Sequence, residues 1–351
     1  MPLVAYKDLP TFDRLKEEGR TVLPADRAQS QEIREMHIGL LNMMPDAALQ
    51  ATERQFFRLV GESNKIAQFY VHPFTLPELE RGDEAKAYIS QYYETFEQLQ
   101  QDGLDALIIT GANVSDPDLT KAEFWQPLQD VMDWAWDNVV STLSSCLATH
   151  AIMEFAYDKK RTPVGHKRWG VYKHRVMDRS HMIMRGVNTV FDVPHSRHNQ
   201  ITRQQFEDAG LKVLVSDVED HVHMAVSPDG FRRVLLQGHP EYDMVSLYKE
   251  YKREVQNYLD GNRPNYPPTP ENFFYGEALE RVKEMRRNAE SGEEDWAVGE
   301  MEMRALLDNS WADTARSMVG NWTGLVYQLT NVDRHKQFMD GVDPDNPLGS
   351  V

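Results

Sequence analysis

The sequence has 351 residues, of which 41% are hydrophobic and 26% are charged, and this composition is typical of a folded protein rather than a disordered one. Its formal net charge of −17 would repel a phosphate backbone, so we expect no nucleic-acid partner. The single cysteine excludes an intramolecular disulfide framework and a metal site built from several cysteines.

The segment MPLVAYKDLPTFDRLKEEGR carries charges and prolines before a hydrophobic run of signal-peptide length accumulates. No later stretch of the sequence approaches the roughly 20 apolar residues of a membrane span. A lone cysteine is most simply explained by a reducing compartment. These features predict a cytoplasmic protein without a membrane partner.

Residues 1–36 are polar and charged with scattered apolar positions, which predicts an N-terminal arm that packs on the main domain. The run HIGLLNMMP then predicts a buried strand that ends in a turn at Pro45. In the following ALQATERQFFRLVG, apolar residues such as Phe56 and Val60 are spaced for one face of a helix, which we expect to end at Gly61.

Strand and helix signals alternate in the residues that follow. Strands are predicted at IAQFYVHPF, GLDALIITGANV and VVSTLSSC, and helices at FWQPLQDVMDWAWDN and ATHAIMEFAY. This alternation is typical of an α/β protein whose mostly parallel sheet has helices on both faces. After Asp158, the runs FDVPH, KVLVSD, HVHMAVS and RRVLLQGHP predict an antiparallel or mixed extension of the same sheet, so we expect a single domain.

This main domain is expected to span residues 37–330. Helical periodicity returns between Val245 and Leu259, the charged residues 276–308 predict one solvated helix or a pair, and NSWADTARSMVGNWTGLVYQLT predicts a final amphipathic helix. Residues 331–351 have little apolar surface to bury, which predicts a flexible tail.

Cys146 lies in STLSSCLATHA, where a strand-forming run meets a helix-forming run. A nucleophile at such an elbow projects out of the sheet and lies at a helix N-terminus, whose partial positive charge lowers the pKa of a thiol. The alternative is a small buried hydrophobic residue, which is the role of most lone cysteines. The position alone leaves both interpretations open.

A thiolate nucleophile needs a base, and His239 in LLQGHPEYD is a candidate at the end of an apolar strand. Glu241, two residues later, can fix the tautomer of the imidazole and stabilise its charged form. The alternative is a histidine that caps a turn before a proline. His150 lies one helical turn beyond Cys146 and would point past it, so we interpret it as a packing residue.

The histidine pairs in HSRH and HVH have spacings that metal ligands sometimes use, but such pairs arise by chance among 12 histidines, and we expect no metal site. The basic segment GHKRWGVYKHR could meet an anionic small substrate, although a solvated strand edge is the usual explanation. Arg197 and Arg253 could each clamp a substrate carboxylate, and isolated arginines are more often surface residues.

The ordered set LLNMMP, ATERQFFRLVG, ALIITGA, STLSSC, KRWGVYKHRV, PHSRH, GHPEYD and SW followed by NW resembles the homoserine O-acyltransferases of methionine biosynthesis, of the succinyltransferase type. The resemblance spans roughly residues 37–328. It implies a class I glutamine-amidotransferase-like fold, with Cys146 as the acyl-accepting nucleophile, His239 as its base and Glu241 as the third member of the triad.

The same resemblance implies that Lys167, Ser196 and Arg253 contact substrate, with Arg197 as a further candidate for the amino-acid carboxylate. The backbone N–H of Leu147 is expected at the oxyanion, and Ser115 occupies the position that helps to select the acyl group.

The chain departs from the family pattern at three places. Residues 147–150 are Leu-Ala-Thr-His where the family usually has Trp-Gly-Ala-Gln, a family lysine after the first Met-Pro is missing, and residues 276–308 resemble a helical insertion.

The resemblance implies ping-pong transfer of a succinyl group from succinyl-CoA to the hydroxyl of L-homoserine, the first committed step of methionine biosynthesis. It implies acyl-CoA as co-substrate, no bound cofactor and a homodimer. Acetyl-CoA as donor and serine as acceptor stay open as alternatives. A hydrolase or amidotransferase, and a non-catalytic binding protein, are alternatives of other classes on the same fold.

Overall fold

A computed structural model describes residues 3–114, 116, 118–293 and 295–351. The strands are β1 (Val4–Ala5), β2 (Leu23–Pro24), β3 (Glu35–Leu41), β4 (Gln68–Phe74), β5 (Ala106–Ile109), β6 (Ser141–Ser145), β7 (Thr162–Val176), β8 (Val190–Gln200), β9 (Lys212–Ser216), β10 (Val222–Val226) and β11 (Arg233–Leu236). The α-helices are α1 (Pro10–Glu17), α2 (Ala25–Gln29), α3 (Asp46–Ser63), α4 (Asp83–Tyr92), α5 (Phe96–Asp102), α6 (Trp125–Asn138), α7 (Leu147–Tyr157), α8 (Arg203–Asp208), α9 (Ser246–Leu259), α10 (Gly276–Ser291), α11 (Glu300–Arg304) and α12 (Ala312–Leu329).

Nine strands form one sheet in the order β4-β3-β5-β6-β11-β10-β9-β7-β8, while β1 and β2 form a separate parallel pair. The first five strands in this order pair in parallel, and the remaining pairings are antiparallel. The α/β class, the single domain and the antiparallel extension predicted from the sequence are confirmed. The parallel half places the C-terminal ends of β3, β5 and β6 at one edge, which is where open α/β sheets bind ligands.

Hydrophobic cores cover both faces of the sheet. On one face, α1, α3 and α12 bury residues such as Phe12, Phe56 and Trp322, and on the other face α6, α7 and α8 bury Leu128, Ile152 and others. A third core joins α9, α10 and α11 to β7. No helix in the described part of the chain is long and apolar enough to cross a membrane.

The predicted helix after Pro45 is confirmed, but the expectation that it ends at Gly61 is wrong. Helix α3 continues to Ser63, because Gly61 is a packing site rather than a helix stop. A Cβ atom at Gly61 would lie 3.2 Å from the Cβ of Leu3, so the missing side chain allows the N-terminal segment to pack closely against α3.

The first and last described segments of the chain lie against the domain. The first segment contributes Leu9 and Phe12 to the core beside α3, and Leu3 pairs with Phe69 next to the sheet. In the last segment, the N–H of Met339 donates to the carbonyl of Leu329, and Leu348 packs on the same core. The flexibility of residues 331–351 stays a prediction, while their path follows the domain surface.

Candidate active site

Cys146 connects β6 to α7 in a conformation that side-chain-bearing residues rarely adopt, with φ 53° and ψ −110°. The backbone around it is held by hydrogen bonds: the N–H of Cys146 donates to the carbonyl of Leu236 at 2.7 Å, and the hydroxyl of Thr149 donates to the carbonyls of Ser144 and Leu236. Cys146 remains partly exposed at this elbow. The geometry is that of a nucleophile raised out of the sheet.

The turn that follows β11 carries His239 and Glu241, both of which are buried. Nδ1 of His239 lies 2.7 Å from Oε1 of Glu241. A carboxylate can only accept, so Nδ1 carries a proton and donates it to Glu241, and Nε2 is the ring nitrogen free to exchange a proton with a substrate. Nε2 has no hydrogen bond of ordinary geometry to any described residue. The position before His239 has no room for a side chain. A Cβ atom at Gly238 would lie 2.9 Å from ring atoms of both His195 and His223.

The pKa values of Cys146 and His239 are shifted in opposite directions. Burial alone would raise the pKa of the thiol, but the nearby charges of His239 and Arg197 outweigh burial and lower the pKa. Burial likewise acts to lower the pKa of His239, but the charges of Glu241 and Cys146 raise it well above its usual value. The pair therefore favours a thiolate beside an imidazolium.

The turn from His239 to Asp243, called the acid–base turn below, is held by side chains of α3 and by Trp311, which directly precedes α12. From α3, Arg58 donates to the carbonyl of Glu241 at 2.9 Å and pairs with the carboxylate of Asp243. Arg54, also on α3, pairs with Asp243 at 2.7 Å. Next to α12, the indole of Trp311 donates to the carbonyl of Tyr242 at 3.0 Å. The motifs ATERQFFR and SW thus hold the turn that carries the candidate base His239.

Lys167 and Ser196, two of the expected substrate contacts, meet at the carboxylate of Glu250 on α9. Nζ of Lys167 lies 3.1 Å from Oε2 of Glu250, and the hydroxyl of Ser196 donates to the same oxygen at 2.6 Å. The phenol of Tyr242 donates to Oε1 at 2.7 Å, and its ring stacks on the ring of His239 at 4.3 Å. The ring of Tyr242 therefore lies between His239 and this group of side chains, which is called the Glu250 cluster below.

Arg253 lies one turn beyond Glu250 on α9 and is exposed, with no ion pair to another residue that the structure describes. Arg197 is instead buried on β8. Its Nη1 contacts Nδ1 of His195, whereas its Nε and Nη2 are buried without a hydrogen-bond partner in the described ranges. Burial, followed by the charge of Arg168, lowers the pKa of Arg197 to about 9. A buried guanidinium with unused N–H groups is suited to bind an anion.

Leu147 is the first residue of α7, and its N–H donates to no other described residue. Gly111, at the end of β5, lies against Cys146: a Cβ there would be 3.5 Å from the Cβ of the cysteine. The N–H of Gly111 also has no partner among residues that the structure describes. Ser115, the expected acyl-selecting residue, lies outside the described residues.

The packing role expected for His150 agrees with its position, since it is buried and contacts Gln237 at 3.1 Å. Burial lowers the pKa of His150 to about 3, so the ring is neutral. Within the described ranges, Asp217, Glu219 and His221 are the group with metal-ligating atoms close together. Asp217 already pairs with Arg168, and the absence of a metal cofactor stays a prediction.

Sequence reasoning missed Glu250, Tyr242 and the two arginines of α3. Tyr242 stands inside the GHPEYD motif, and Glu250 precedes the expected contact Arg253 by three positions, which places both on one face of a helix. Those two signals were available in the sequence. Arg54 and Arg58 stand in the motif ATERQFFRLVG, but nothing local indicates what they bind, because their partners lie far along the chain.

Sequence comparisons with known proteins match one family over most of the chain. A sequence profile described as homoserine O-succinyltransferase matches residues 2–332. Proteins named homoserine O-succinyltransferase from Allochromatium vinosum and Methylococcus capsulatus are 59% and 54% identical to this chain, with 99% of each chain covered in both cases. Another from Cardiobacterium hominis is 49% identical, covering 100% of this chain and 99% of its own. Among solved structures, a glutamine amidotransferase from Thermotoga maritima aligns at 12% identity with a TM-score of 0.43, covering 82% of this chain and 97% of its own.

Proposed function

The chain belongs to the homoserine O-succinyltransferase family, and on that premise we propose that it transfers the succinyl group of succinyl-CoA to the hydroxyl of L-homoserine. The product would enter methionine biosynthesis. The observation that carries this proposal is the placement of Cys146 at a strained elbow beside a His239 that is itself bonded to Glu241. This arrangement performs acyl transfer through a covalent thioester.

In the first half-reaction, the thiolate of Cys146 attacks the thioester carbonyl of succinyl-CoA. The N–H groups of Leu147 and Gly111 are the donors that we assign to the oxyanion. As the tetrahedral intermediate collapses, the carbon–sulfur bond to CoA breaks and the proton on Nε2 of His239 passes to the departing CoA thiolate. One thioester replaces another of similar energy, and His239 is left neutral.

In the second half-reaction, neutral His239 accepts the hydroxyl proton of homoserine while the oxygen attacks the succinyl thioester on Cys146. The bond between carbon and Sγ then breaks, which restores the thiolate beside the imidazolium. Glu241 stabilises the charged ring in both half-reactions, because its carboxylate accepts the hydrogen bond from Nδ1.

The substrate contacts rest on the family resemblance and, for Arg197, on its unused N–H groups. Lys167, Ser196 and Arg253 are proposed to bind the acceptor, and Arg197 offers unused N–H groups to a substrate carboxylate near Cys146. Selection of the acyl group at Ser115 stays a prediction. We further propose that acyl-CoA is a co-substrate without any resident cofactor, and that the enzyme works as a homodimer in the cytoplasm.

Mass spectrometry of the intact protein tests this function directly. After mixing with succinyl-CoA, the protein should gain one succinyl group, which should be absent from the Cys146→Ala variant. Addition of L-homoserine should remove the adduct and produce O-succinylhomoserine. Release of free succinate at the same rate without homoserine would indicate a hydrolase instead. Transfer to serine, or from acetyl-CoA, with equal or higher kcat/KM would replace the proposed acceptor or donor.

A further inference from the structure

The mechanism above names no partner for the second charge of the donor. Succinyl-CoA carries a carboxylate at the end of its acyl chain, and only two methylene groups separate it from the thioester carbonyl that Cys146 attacks. The partner of that carboxylate must therefore lie close to Cys146. Lys167, in the Glu250 cluster, and Arg253 are assigned to the acceptor, so the donor calls for a further cation beside the acyl group.

Arg161 lies in the connection between α7 and β7, and its side chain is buried. Its Nη2 donates to the carbonyl of Val114 at 3.1 Å and also to the carbonyl of Asp116. Both carbonyls belong to the segment that follows β5, in which Gly111 lies against Cys146. They flank position 115 in the sequence, which the family resemblance associates with the choice of acyl group. A buried guanidinium therefore holds the segment that borders the acyl site.

The charge of Arg161 also reaches the nucleophile. Burial lowers the pKa of Arg161, and the charge of Cys146 is the largest of the effects that oppose burial. The same guanidinium acts on His150, one helical turn beyond Cys146, where its charge adds to burial in lowering the pKa. Arg161 is thus close enough to Cys146 for its charge to act on an acyl group bound there.

Two carboxylates lie near Arg161, and each of them has a lysine partner of its own. Asp116 pairs with Lys121 at 3.2 Å, and Glu154 pairs with Lys160 at 3.6 Å. Both lysine side chains are more than 60% exposed, so water and salt screen their charges. The guanidinium of Arg161 is buried, and it is therefore the cation of this group that water screens least.

We propose that the positive charge of Arg161 selects the succinyl donor by attracting its distal carboxylate, an inference that rests on the proposed function. The N–H groups of Arg161 hold the segment after β5, so the attraction acts through the charge rather than through a direct hydrogen bond. Protein atoms screen such an attraction much less than water does. A donor with an uncharged acyl chain gains nothing from it. Arg161 should therefore determine specificity in the first half-reaction.

Arg197 is the other buried guanidinium near Cys146, since its charge also lowers the pKa of the thiol. It lies on β8, whereas the guanidinium of Arg161 reaches the segment after β5, and β6 stands between these two strands in the sheet order. The two cations can therefore receive different carboxylates. In this arrangement, Arg161 attracts that of the donor and Arg197 stays available to that of the acceptor.

The test compares succinyl-CoA with butanoyl-CoA, which has the same four-carbon chain but a methyl group in place of the carboxylate. Acylation of Cys146 is followed in a single turnover by release of CoA. The wild type should prefer succinyl-CoA by at least about fiftyfold in the acylation rate at low donor concentration. Arg161→Gln, which removes the charge but keeps an N–H donor, should reduce that preference to less than about fivefold.

Two further variants separate the charge of Arg161 from its hydrogen bonds. Arg161→Lys retains the charge but loses the planar donor group, and it should keep a preference of at least about twentyfold. Arg232→Gln is the matched control and should behave as the wild type does. Arg232 also donates to a backbone carbonyl, that of Trp136, but it stands next to the end of β11 that is remote from Cys146.

The assignment would be overturned by a wild type that uses both donors equally, or by an Arg161→Gln variant that is slowed by the same factor with both. The second result is expected of a residue that only holds the segment. Equal loss of preference in Arg161→Lys and Arg161→Gln would show that the hydrogen bonds decide, not the charge. A preference lost in Arg197→Gln but kept in Arg161→Gln would assign the donor carboxylate to Arg197 instead.

If Arg161→Gln does not fold, Asp116→Asn takes its place. The side chain of Asp116 is 46% exposed and its charge opposes that of Arg161, so its removal should raise the preference for succinyl-CoA by at least about twofold. An unchanged preference would contradict the proposal. Acylation of the wild type by succinyl-CoA is measured first, because its failure contradicts the proposed function rather than the role of Arg161.

Discussion

The elbow that carries Cys146 and the acid–base turn hold the two halves of the proposed catalytic pair in different ways. At the elbow, the position of Cys146 is set by its own backbone dihedrals and by hydrogen bonds to the ends of β6 and β11. In the turn, His239 and Glu241 are set by side chains of α3 and by Trp311. The elbow thus depends on its own backbone conformation and on hydrogen bonds to neighbouring strand ends, whereas the turn depends on the side chains of α3 and of Trp311.

This difference teaches where substitutions should matter. A change at the elbow acts on the reacting atom itself, and the surrounding backbone has few side chains whose loss would move it. A change in α3 touches no substrate but alters the orientation of the base. We therefore expect the supporting residues of the turn to affect the pKa of the thiol, in proportion to how directly they contact Glu241.

The largest effect is expected for Cys146→Ser, because a hydroxyl with a high pKa stays protonated at an elbow suited to a thiolate. Succinyl transfer should fall by at least about 10⁴-fold. The melting temperature should stay close to that of the wild type, since the two side chains differ by one atom. Near-wild-type transfer by this variant would show that Cys146 is not the nucleophile.

Glu241→Gln should have the next largest effect. The amide cannot stabilise the imidazolium as the carboxylate does. Although the charge of Glu241 by itself raises the pKa of the Cys146 thiol, we expect loss of the imidazolium to outweigh its removal, so the apparent thiol pKa should rise and kcat should fall by about a hundredfold. Alkylation rates with iodoacetamide as a function of pH measure the thiol pKa directly. Glu219→Gln provides a control, because Glu219 has a 72% exposed side chain. An unchanged alkylation profile in Glu241→Gln would remove Glu241 from the triad.

Arg58→Gln tests the remote support of the turn. It removes the donor to the Glu241 carbonyl and one partner of Asp243, so kcat should fall by about tenfold and the thiol pKa should rise by about one unit. Arg20→Gln is the matched control. Arg20 forms an ion pair with Glu62, which lies on α3 like Arg58, but Arg20 does not contact the acid–base turn.

A lower melting temperature in Arg58→Gln with no change in the alkylation profile would mean that α3 supports the fold alone. If that variant is insoluble, Asp243→Asn is the substitute. It removes the charge that both arginines share and should shift the thiol pKa in the same direction.

The smallest expected effect concerns acid stability on the turn side of the site. His174, His195 and His223 pack together behind Gly238. Burial is the main cause that lowers the pKa of His174 to about 4 and the pKa values of the other two well below 6.5. The unfolded chain therefore binds protons before the folded protein does, and the free energy of unfolding should decrease as the pH falls from about 6.5 to about 4.

Each such histidine should contribute a loss of up to about 1.4 kcal/mol per pH unit across that range. Urea unfolding at several pH values measures the slope of the unfolding free energy against pH. His174→Gln should reduce that slope by the amount that corresponds to one bound proton. His335→Gln, at an exposed position, should leave the slope unchanged. Equal slopes for the wild type and His174→Gln would show that the buried cluster does not control acid stability.

The sequence indicates the proposed catalytic residues more readily than the residues that support them, and the reason is physical. Cys146 stands where strand and helix periodicities meet, and His239 and Glu241 stand two residues apart in a recognisable motif, so their roles follow from short segments. Arg58 acts through a contact with a residue that is 183 positions away in the chain. No periodicity or spacing indicates such a contact before the fold is known.

The fold shows the same division. Alternating strands and helices predict the α/β class because burial on a sheet imposes a regular pattern. The helices α4 and α5 were not predicted, since each is short and has few buried residues. The predicted end of α3 at Gly61 is wrong because local propensity alone treats a glycine as a helix stop. The close contact of Gly61 with Leu3 decides its role instead.

The parallel pairing of β6 with β11 has a consequence for how an active molecule first appears. Ser145, next to Cys146, is in register with Leu236, which lies three residues before His239. Closing this pair requires a loop of about ninety residues, and such non-local contacts form slowly because the loop entropy must be overcome before the pairing is gained. A chain emerging from the ribosome has its cysteine long before it has its histidine. Catalytic competence should therefore be among the last properties acquired during refolding, later than the recovery of helical content.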